Sequence, residues 1–225
     1  MKYKAILFDV DDTLLDSFSA RLATIQHIFT SAGIAHHGAE RFLRDLQGAP
    51  LESALAQLAV DHDSEIDLFL EYRRTYWFRE NGLLKLYPGV REALGALHGL
   101  RLKLGIVTTK AVNIEFEDNV IGAAKELREL GIVDFFSAMV GFEDVSLPKP
   151  HPEGINLAIG RLKVIPSETL MVGDSVSDIA AAKAAGCLGC YATWGLPVDE
   201  RDNLLDTISP DFILNSPDEL LKLVR

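Results

Sequence analysis

Two cysteines, two tryptophans and three methionines are all that the 225 residues hold of these types. The cysteines stand together as Cys187-x-x-Cys190. A redox pair normally opens a helix, where the dipole lowers the thiol pKa. Here Gly186 reads as the end of a helix and Tyr191-Ala192-Thr193 as a strand. Half a zinc site would need two further ligands, and no suitable histidine pair is near in sequence. The motif therefore reads as small apolar residues entering a strand. The six histidines (His27, His36, His37, His62, His98, His151) do not pair at metal spacing either, and His151 reads as a residue that helps start a helix. Basic residues are scarce as well. Twenty-two Lys and Arg face 33 Asp and Glu, the net charge is −11, and no Lys/Arg-rich run occurs. Nucleic acid and anionic membranes both need basic patches, so neither is an expected partner. The charge favours solubility. Long apolar runs are missing too. The run after Met1-Lys2-Tyr3-Lys4 is about six residues and ends in acids, too short for a signal peptide. The least charged later stretch, Gly186 to Val198, has 13 residues against the roughly 20 of a membrane span. A soluble cytoplasmic protein, monomer or homodimer, is the expectation.

What is present is a core-forming composition, 48% hydrophobic, in a chain long enough for one large domain or a core with a smaller insert. Residues 4 to 9 read as a buried strand. From Ser17 to Ala32, Leu22, Ile25, Ile28 and Phe29 recur at helical spacing, and Gly33 supplies a stop. Helical stretches follow at about 39–47, 50–60 and 64–79. Pro50 fits a first helical position, with Leu51, Leu55, Leu58 and Ala59 on one face. No strand signal interrupts 17 to 87, which reads as an all-helical insert. Arg73, Tyr76 and Trp77 lie late in it, and the aromatic face reads as core packing.

After Pro88 helix and strand alternate. Helix is expected from Pro88 to Leu97 with Gly99 as its stop, from about Ile114 to Leu130, and over 152–162, 175–185 and 217–224. Strand is expected over Leu102–Val107, 138–141, 169–172, 189–193 and 211–214. Strands separated by helices pair in parallel through right-handed crossovers. The fold class is α/β, a Rossmann-like parallel sheet core (1–16 and 88–225) with the helical segment 17–87 inserted. In such sheets ligands bind beyond the carboxyl ends of the strands.

Those strand ends carry the chemistry. The first delivers Asp9-Val10-Asp11, two carboxylates that period-two alternation would aim the same way. Burying like charges together is expensive, so a cation or a reaction is expected there. The second delivers Thr108-Thr109-Lys110, and a later one Gly173-Asp174 with Asp178 four residues on. Upstream of it runs Pro148-Lys149-Pro150-His151-Pro152, where flanking prolines stiffen the lysine's backbone. Ser175-Val176-Ser177-Asp178 also fits a capping box. Four carboxylates, hydroxyls and an ammonium suit a hard cation such as Mg²⁺ beside a phosphoryl group.

The set Asp9-x-Asp11-x-Thr13, Thr108, Lys149 and Gly173-Asp174-(x)₃-Asp178 resembles, in order and spacing, the four motifs of the haloacid dehalogenase superfamily. The resemblance covers essentially the whole chain. The insert resembles that family's helical cap, and Gly48-Ala49-Pro50-Leu51 and Tyr87-Pro88-Gly89-Val90 resemble cap and hinge segments of its phosphoglycolate-phosphatase-like branch. The resemblance implies roles. Asp9 would be the nucleophile and a Mg²⁺ ligand. Asp11 would be general acid and then base, with its backbone carbonyl on Mg²⁺. Thr108, Thr109 and Lys149 would hold phosphate, and Asp174 and Asp178 would bind Mg²⁺. Arg73 is the insert's candidate for reaching substrate. The expected activity is Mg²⁺-dependent hydrolysis of a small phosphorylated metabolite, phosphoglycolate-like, through an aspartyl-phosphate.

Four alternatives stand beside that expectation. A sugar-phosphate mutase of this family carries an Arg shortly after the cap glycine, and Ala49-Pro50-Leu51-Glu52 supplies none. Inorganic pyrophosphate is a second possible substrate. A carbon–halogen hydrolase needs no acid at position 11, and a non-enzymatic binding protein is expected to have lost a charged catalytic group. Two departures from the family pattern are evident. Asp12 replaces a common glycine, which a tight turn tolerates. The segment 111–119 is longer than usual, either a helix extension or a lining of the substrate entrance.

Overall fold

The computed structural model describes residues 2–46, 51–62, 64–80, 83–195 and 209–224. The expected cap segment Gly48-Ala49-Pro50 lies outside the described residues, as does the 196–198 end of the weakly charged stretch. The described chain forms two compact units, Met1–Asp16 with Lys85–Arg225, and Ser17–Leu84.

The first unit is built on strands β1 (Ala5–Phe8), β4 (Lys103–Val107), β7 (Phe136–Val140), β8 (Thr169–Gly173), β9 (Leu188–Ala192) and β10 (Phe212–Leu214). They form one parallel sheet in the order β10-β9-β8-β1-β4-β7. Alternation divides the core between its faces. Ile6 and Phe8 join one apolar cluster with Leu94, Leu97, Leu127 and Leu220, from helices α5 (Val90–Gly99), α6 (Ala123–Glu129) and α9 (Leu220–Val224). Ala5 and Leu7 join the other, with Ile155, Ala158 and Leu162 of α7 (Glu153–Leu162) and Ala181 and Ala182 of α8 (Val176–Ala185). Each fully buried Leu, Ile or Phe contributes about 1.5–3 kcal/mol by leaving water. This is the expected α/β class, and β1, central in the sheet, delivers its carboxylates at the carboxyl edge.

Cys187 packs in one of these clusters and Cys190 in the other. Both are free, and burial pushes both thiols up to about 12, with Asp211 adding to the shift at Cys190. Neither is a thiolate at neutral pH. The apolar reading of the motif stands.

The second unit contains α1 (Phe18–Ser31), α2 (Ala39–Asp45), α3 (Leu51–Asp61) and α4 (Leu68–Thr75), the last continuing into a π-helical turn at Tyr76–Glu80. Asp67 caps α4 by accepting from Phe69 and Leu70 amides. Tyr76 is buried, stacked on Tyr72 at 5.5 Å and edge-on to Trp77 at 5.2 Å, so this aromatic face is core. Just outside this unit, β2 (Leu15–Asp16) pairs antiparallel with β3 (Lys85–Leu86), a two-residue ribbon at the points where the helical segment leaves and rejoins the core chain. Two residues show no periodicity, which is why no strand was expected there. Among the described residues no helix is long and apolar enough to cross a membrane.

The expected helix over 114–130 is not formed. Ile114–Phe116 (β5) and Asn119–Ile121 (β6) make an antiparallel hairpin, and only Ala123–Glu129 is helical. Glu117 and Asp118 take positive φ (46° and 63°), the two-residue turn whose handedness suits a hairpin. That turn usually announces itself with Asn-Gly, and Glu-Asp gave no such signal. Gly122 then sits at φ 132°, and a Cβ there would stand 2.2 Å from the Val112 carbonyl oxygen. A helix cannot pass through such a residue. Gly122→Ala is expected to destabilise the fold by about 2–4 kcal/mol. Gly95→Ala, at an exposed helical position with nothing within 4 Å, is expected to stabilise it by about 0.5–1 kcal/mol. Urea denaturation of the two variants checks the contrast. The α5 stop also moves: Gly99 is the last helical residue, and Arg101 takes the left-handed position (φ 61°).

Candidate active site

Asp9 leaves β1 with its amide still bonded to the Val172 carbonyl at 2.9 Å. The chain then turns. The amides of Leu14 and Leu15 bond back to the Val10 carbonyl, and Asp12 donates to the Leu15 carbonyl. Asp12 sits at φ 59°, in the left-handed region that favours glycine. An aspartate tolerates it at a cost of about 1–2 kcal/mol. Because β1 ends at Phe8, strand alternation does not reach Asp11, and the two carboxylates take different partners.

Asp9 is buried and its Oδ1 accepts from Lys149 Nζ at 2.8 Å. The same ammonium donates to Asp178 Oδ1 at 2.5 Å and to the Val107 carbonyl at 3.0 Å. Three bonds match the three N–H groups of a lysine. Burial would depress this ammonium, but Asp178 and then Asp9 outweigh it and hold it above its ordinary value. Burial raises the Asp9 carboxyl to about 6, against the pull of Lys149. Lys149 precedes a cis proline bond, the form its proline-flanked sequence takes.

Asp178 carries two duties. Its Oδ2 accepts from Ser175 Oγ at 2.6 Å and from the Ser175 amide at 3.1 Å, the capping box that starts α8. Its Oδ1 takes Lys149. Gly173 makes room for it, since a Cβ at Gly173 would lie 2.3 Å from the Asp178 carboxyl. Asp174 Oδ1 accepts from Thr13 Oγ1 at 2.8 Å, and the Thr13 carbonyl accepts from Trp194 Nε1 at 2.9 Å. The Asp174 carboxyl is raised well above the ordinary carboxylate range by burial, then by Asp12, Asp9 and Asp178.

One oxygen each of Asp9, Asp174 and Asp178 lies within 4.8 Å of the others. Three crowded, desolvated carboxylates are the donor set of a hard divalent cation. The Asp11 carboxylate is not in this cluster. It accepts from Lys110 Nζ at 2.9 Å.

Thr108 follows β4, its amide on the Val140 carbonyl at 3.0 Å, its hydroxyl buried and accepting from the Lys110 amide at 3.2 Å. Thr109 comes next, half-buried. The loop beyond is tied down: Glu143 accepts from the amides of Val112 and Asn113, and Ala123 and Ala124 donate to the carbonyls of Ala111 and Val112. His151 Nδ1 accepts from the Glu153 amide at 3.3 Å, a helix-start role. Arg73 lies in the helical unit with its guanidinium 4.5 Å over the Phe69 ring.

The sequence profile of haloacid dehalogenase-like hydrolases matches residues 6–191. The chain belongs to this family. The phosphoglycolate phosphatase of Salmonella typhimurium is 31% identical, covering 97% of this chain and 91% of its own. The pyrophosphatase PpaX of Listeria monocytogenes is also 31% identical, covering 100% of this chain and 97% of its own. Among solved structures, a haloacid dehalogenase-like hydrolase of Streptococcus pneumoniae superposes with a TM-score of 0.80 at 27% identity, covering 100% of this chain and 99% of that one.

Within this haloacid dehalogenase-like core, Asp9, Lys149, Asp174 and Asp178 meet in one cluster, while Asp11 is joined to it through the turn. Four contributors had no assigned role in the sequence: Thr13, Trp194, Lys110 and Glu126. Thr13 was visible as part of the first motif. Glu126 carries no such sequence signal: only the fold shows that the α6 face it occupies is buried.

Proposed function

We propose that the chain is a Mg²⁺-dependent phosphatase of small phosphorylated metabolites that works through an aspartyl-phosphate on Asp9. The observation that carries this is the Lys149 ammonium held between Asp9 and Asp178, beside a third carboxylate, Asp174. At neutral pH Asp9, at about 6, is mostly ionised and Lys149 is charged. An ionised Asp9 oxygen attacks phosphorus as the bond from phosphorus to the leaving oxygen breaks, while Lys149 holds the carboxylate through Oδ1. Asp11 gives its proton to the departing oxygen, then takes one from the water that hydrolyses the acyl-phosphate. Thr108, Thr109 and Lys149 bind the phosphoryl oxygens. Asp9, Asp174, Asp178 and the Asp11 carbonyl would hold the cation, which supplies positive charge to offset that of the transferring group. The helical unit is read as the cap, with Arg73 its residue for substrate. The favoured substrate class is a phosphoglycolate-like monoester.

Pyrophosphate hydrolysis is the second reading, favoured by the full-length likeness to the Listeria pyrophosphatase. Phosphate release from a panel of monoesters and from pyrophosphate, with Mg²⁺ and with EDTA, decides between them. Activity that survives EDTA overturns the cation-dependent mechanism.

The metal also has a stability signature. The folded Asp9 value, about 6, exceeds the unfolded one. Without metal, the stability tied to Asp9 is therefore present below about pH 4 and lost as pH rises through about 6. Cations compete with those protons. Millimolar Mg²⁺ is expected to raise the melting temperature more at about pH 7.5 than at about pH 5. Equal shifts at both values would count against binding at these carboxylates.

A further inference from the structure

Glu126 of α6 is completely buried, and both its oxygens accept from Lys110 Nζ, at 3.0 and 2.9 Å. The Lys110 side chain is 15% exposed, and the same nitrogen donates to Asp11 Oδ1 at 2.9 Å. A buried ion pair is costly to take out of water, and replacing both partners with apolar residues of similar volume is often neutral for stability. The buried charge calls for another use. Glu126 is fixed from behind: the first turn of α6 bonds the carbonyls of Ala111 and Val112, and Glu143 fixes the same loop from the other side. Lys110 is a flexible stem by nature, and two carboxylate oxygens on its head remove that freedom. What the immobilised ammonium then holds is one oxygen of Asp11. Asp11 lies in a turn rather than a strand, so the backbone alone does not set its side chain.

We propose that Glu126 and Lys110 form a positioning pair that aims the Asp11 carboxyl at the leaving oxygen of the substrate. This rests on the reading of Asp11 as general acid. In the step it serves, the Asp11 O–H bond breaks as the proton joins the bridging oxygen, and the P–O electron pair goes to that oxygen. Lys110 stays protonated throughout and transfers nothing.

The test uses leaving-group chemistry. An alkyl phosphate releases a basic alkoxide and needs the proton. The p-nitrophenolate of p-nitrophenyl phosphate leaves without it. The ratio of kcat/KM for the two substrates, which reports the step up to departure of the leaving group, is measured for the full chain with Mg²⁺. Lys110→Met is expected to lower kcat/KM on the alkyl ester about 10²-fold, within the range of general-acid contributions, and on the aryl ester only a few-fold. Glu126→Gln is expected to move the ratio the same way by less, and Lys110→Arg to restore part of it. Lys110→Met/Glu126→Leu removes both charges of the pair, so no buried Glu126 carboxylate is left without its ammonium, and it keeps the comparison available if a single variant folds poorly. Asp11→Asn is the reference. If it is selective against the alkyl ester and the pair variants are too, the proposal holds. If Asp11→Asn is selective but the pair variants depress both substrates equally, or neither, the pair is structural or binds substrate directly, and the proposal falls while the acid role survives. If Asp11→Asn is itself unselective, the acid role falls and the proposal with it.

Discussion

Asp9→Asn is expected to lower turnover of any phosphomonoester by on the order of 10⁴-fold or more, the scale on which removal of a covalent nucleophile acts. The amide is isosteric but cannot attack phosphorus. The same substitution should make the metal-free protein more stable. Asp9 shares a desolvated site with Asp178 and Asp11, both of which raise its carboxyl, after the larger effect of burial. Removing one negative charge relieves that repulsion, and Lys149 keeps Asp178 as a partner at 2.5 Å. Loss of activity with gain of stability separates a catalytic role from a structural one. Phosphate release and urea denaturation in EDTA measure the two sides. Undiminished turnover would sink the mechanism, and a destabilised variant would show that Asp9 serves the fold.

Lys149→Met should fail on both sides. Its Nζ neutralises two buried carboxylates, and its side chain is only 4% exposed. Breaking a buried ion pair from one side costs about 3–5 kcal/mol, because the remaining charge stays desolvated. Activity should vanish with it, since the attacking oxygen and the phosphoryl oxygens lose the same cation. The stability deficit should shrink as pH falls, because a protonated Asp9 no longer needs the ammonium. It should shrink again in Lys149→Met/Asp178→Asn, where the second charge is also removed. Thermal melts across pH check this. A deficit that is constant with pH would assign the loss to packing of the lysine stem instead.

The parallel sheet and its helices were legible because buried strands flanked by helices of ten residues carry strong patterns. The four clustered groups were legible for another reason: Asp9 and Asp174 follow strand ends, Lys149 is flanked by prolines and Asp178 sits in the capping box that starts α8, so sequence position fixes spatial position. Asp11 was half legible. Its presence was plain, but strand alternation was extended past Phe8, where the chain already turns. The hairpin over 114–121 departs from the helix its sequence suggests because its turn uses Glu117 and Asp118, residues that helices accept, at φ values they seldom adopt. Glu126 shows the remaining difficulty. A helix of seven residues offers too little pattern to tell its inner face, and only tertiary contact with Lys110 explains the charge there.

The dual duty of Asp178 has a consequence for motion. One oxygen closes the first turn of α8 and the other holds the Lys149 ammonium. Fraying of that turn therefore also costs the lysine one of its three partners, while Asp9 and the Val107 carbonyl still hold it. Stability of the first turn of α8 and full coordination of the lysine are coupled, so removing the Asp178 carboxylate is expected to speed amide exchange at the start of α8.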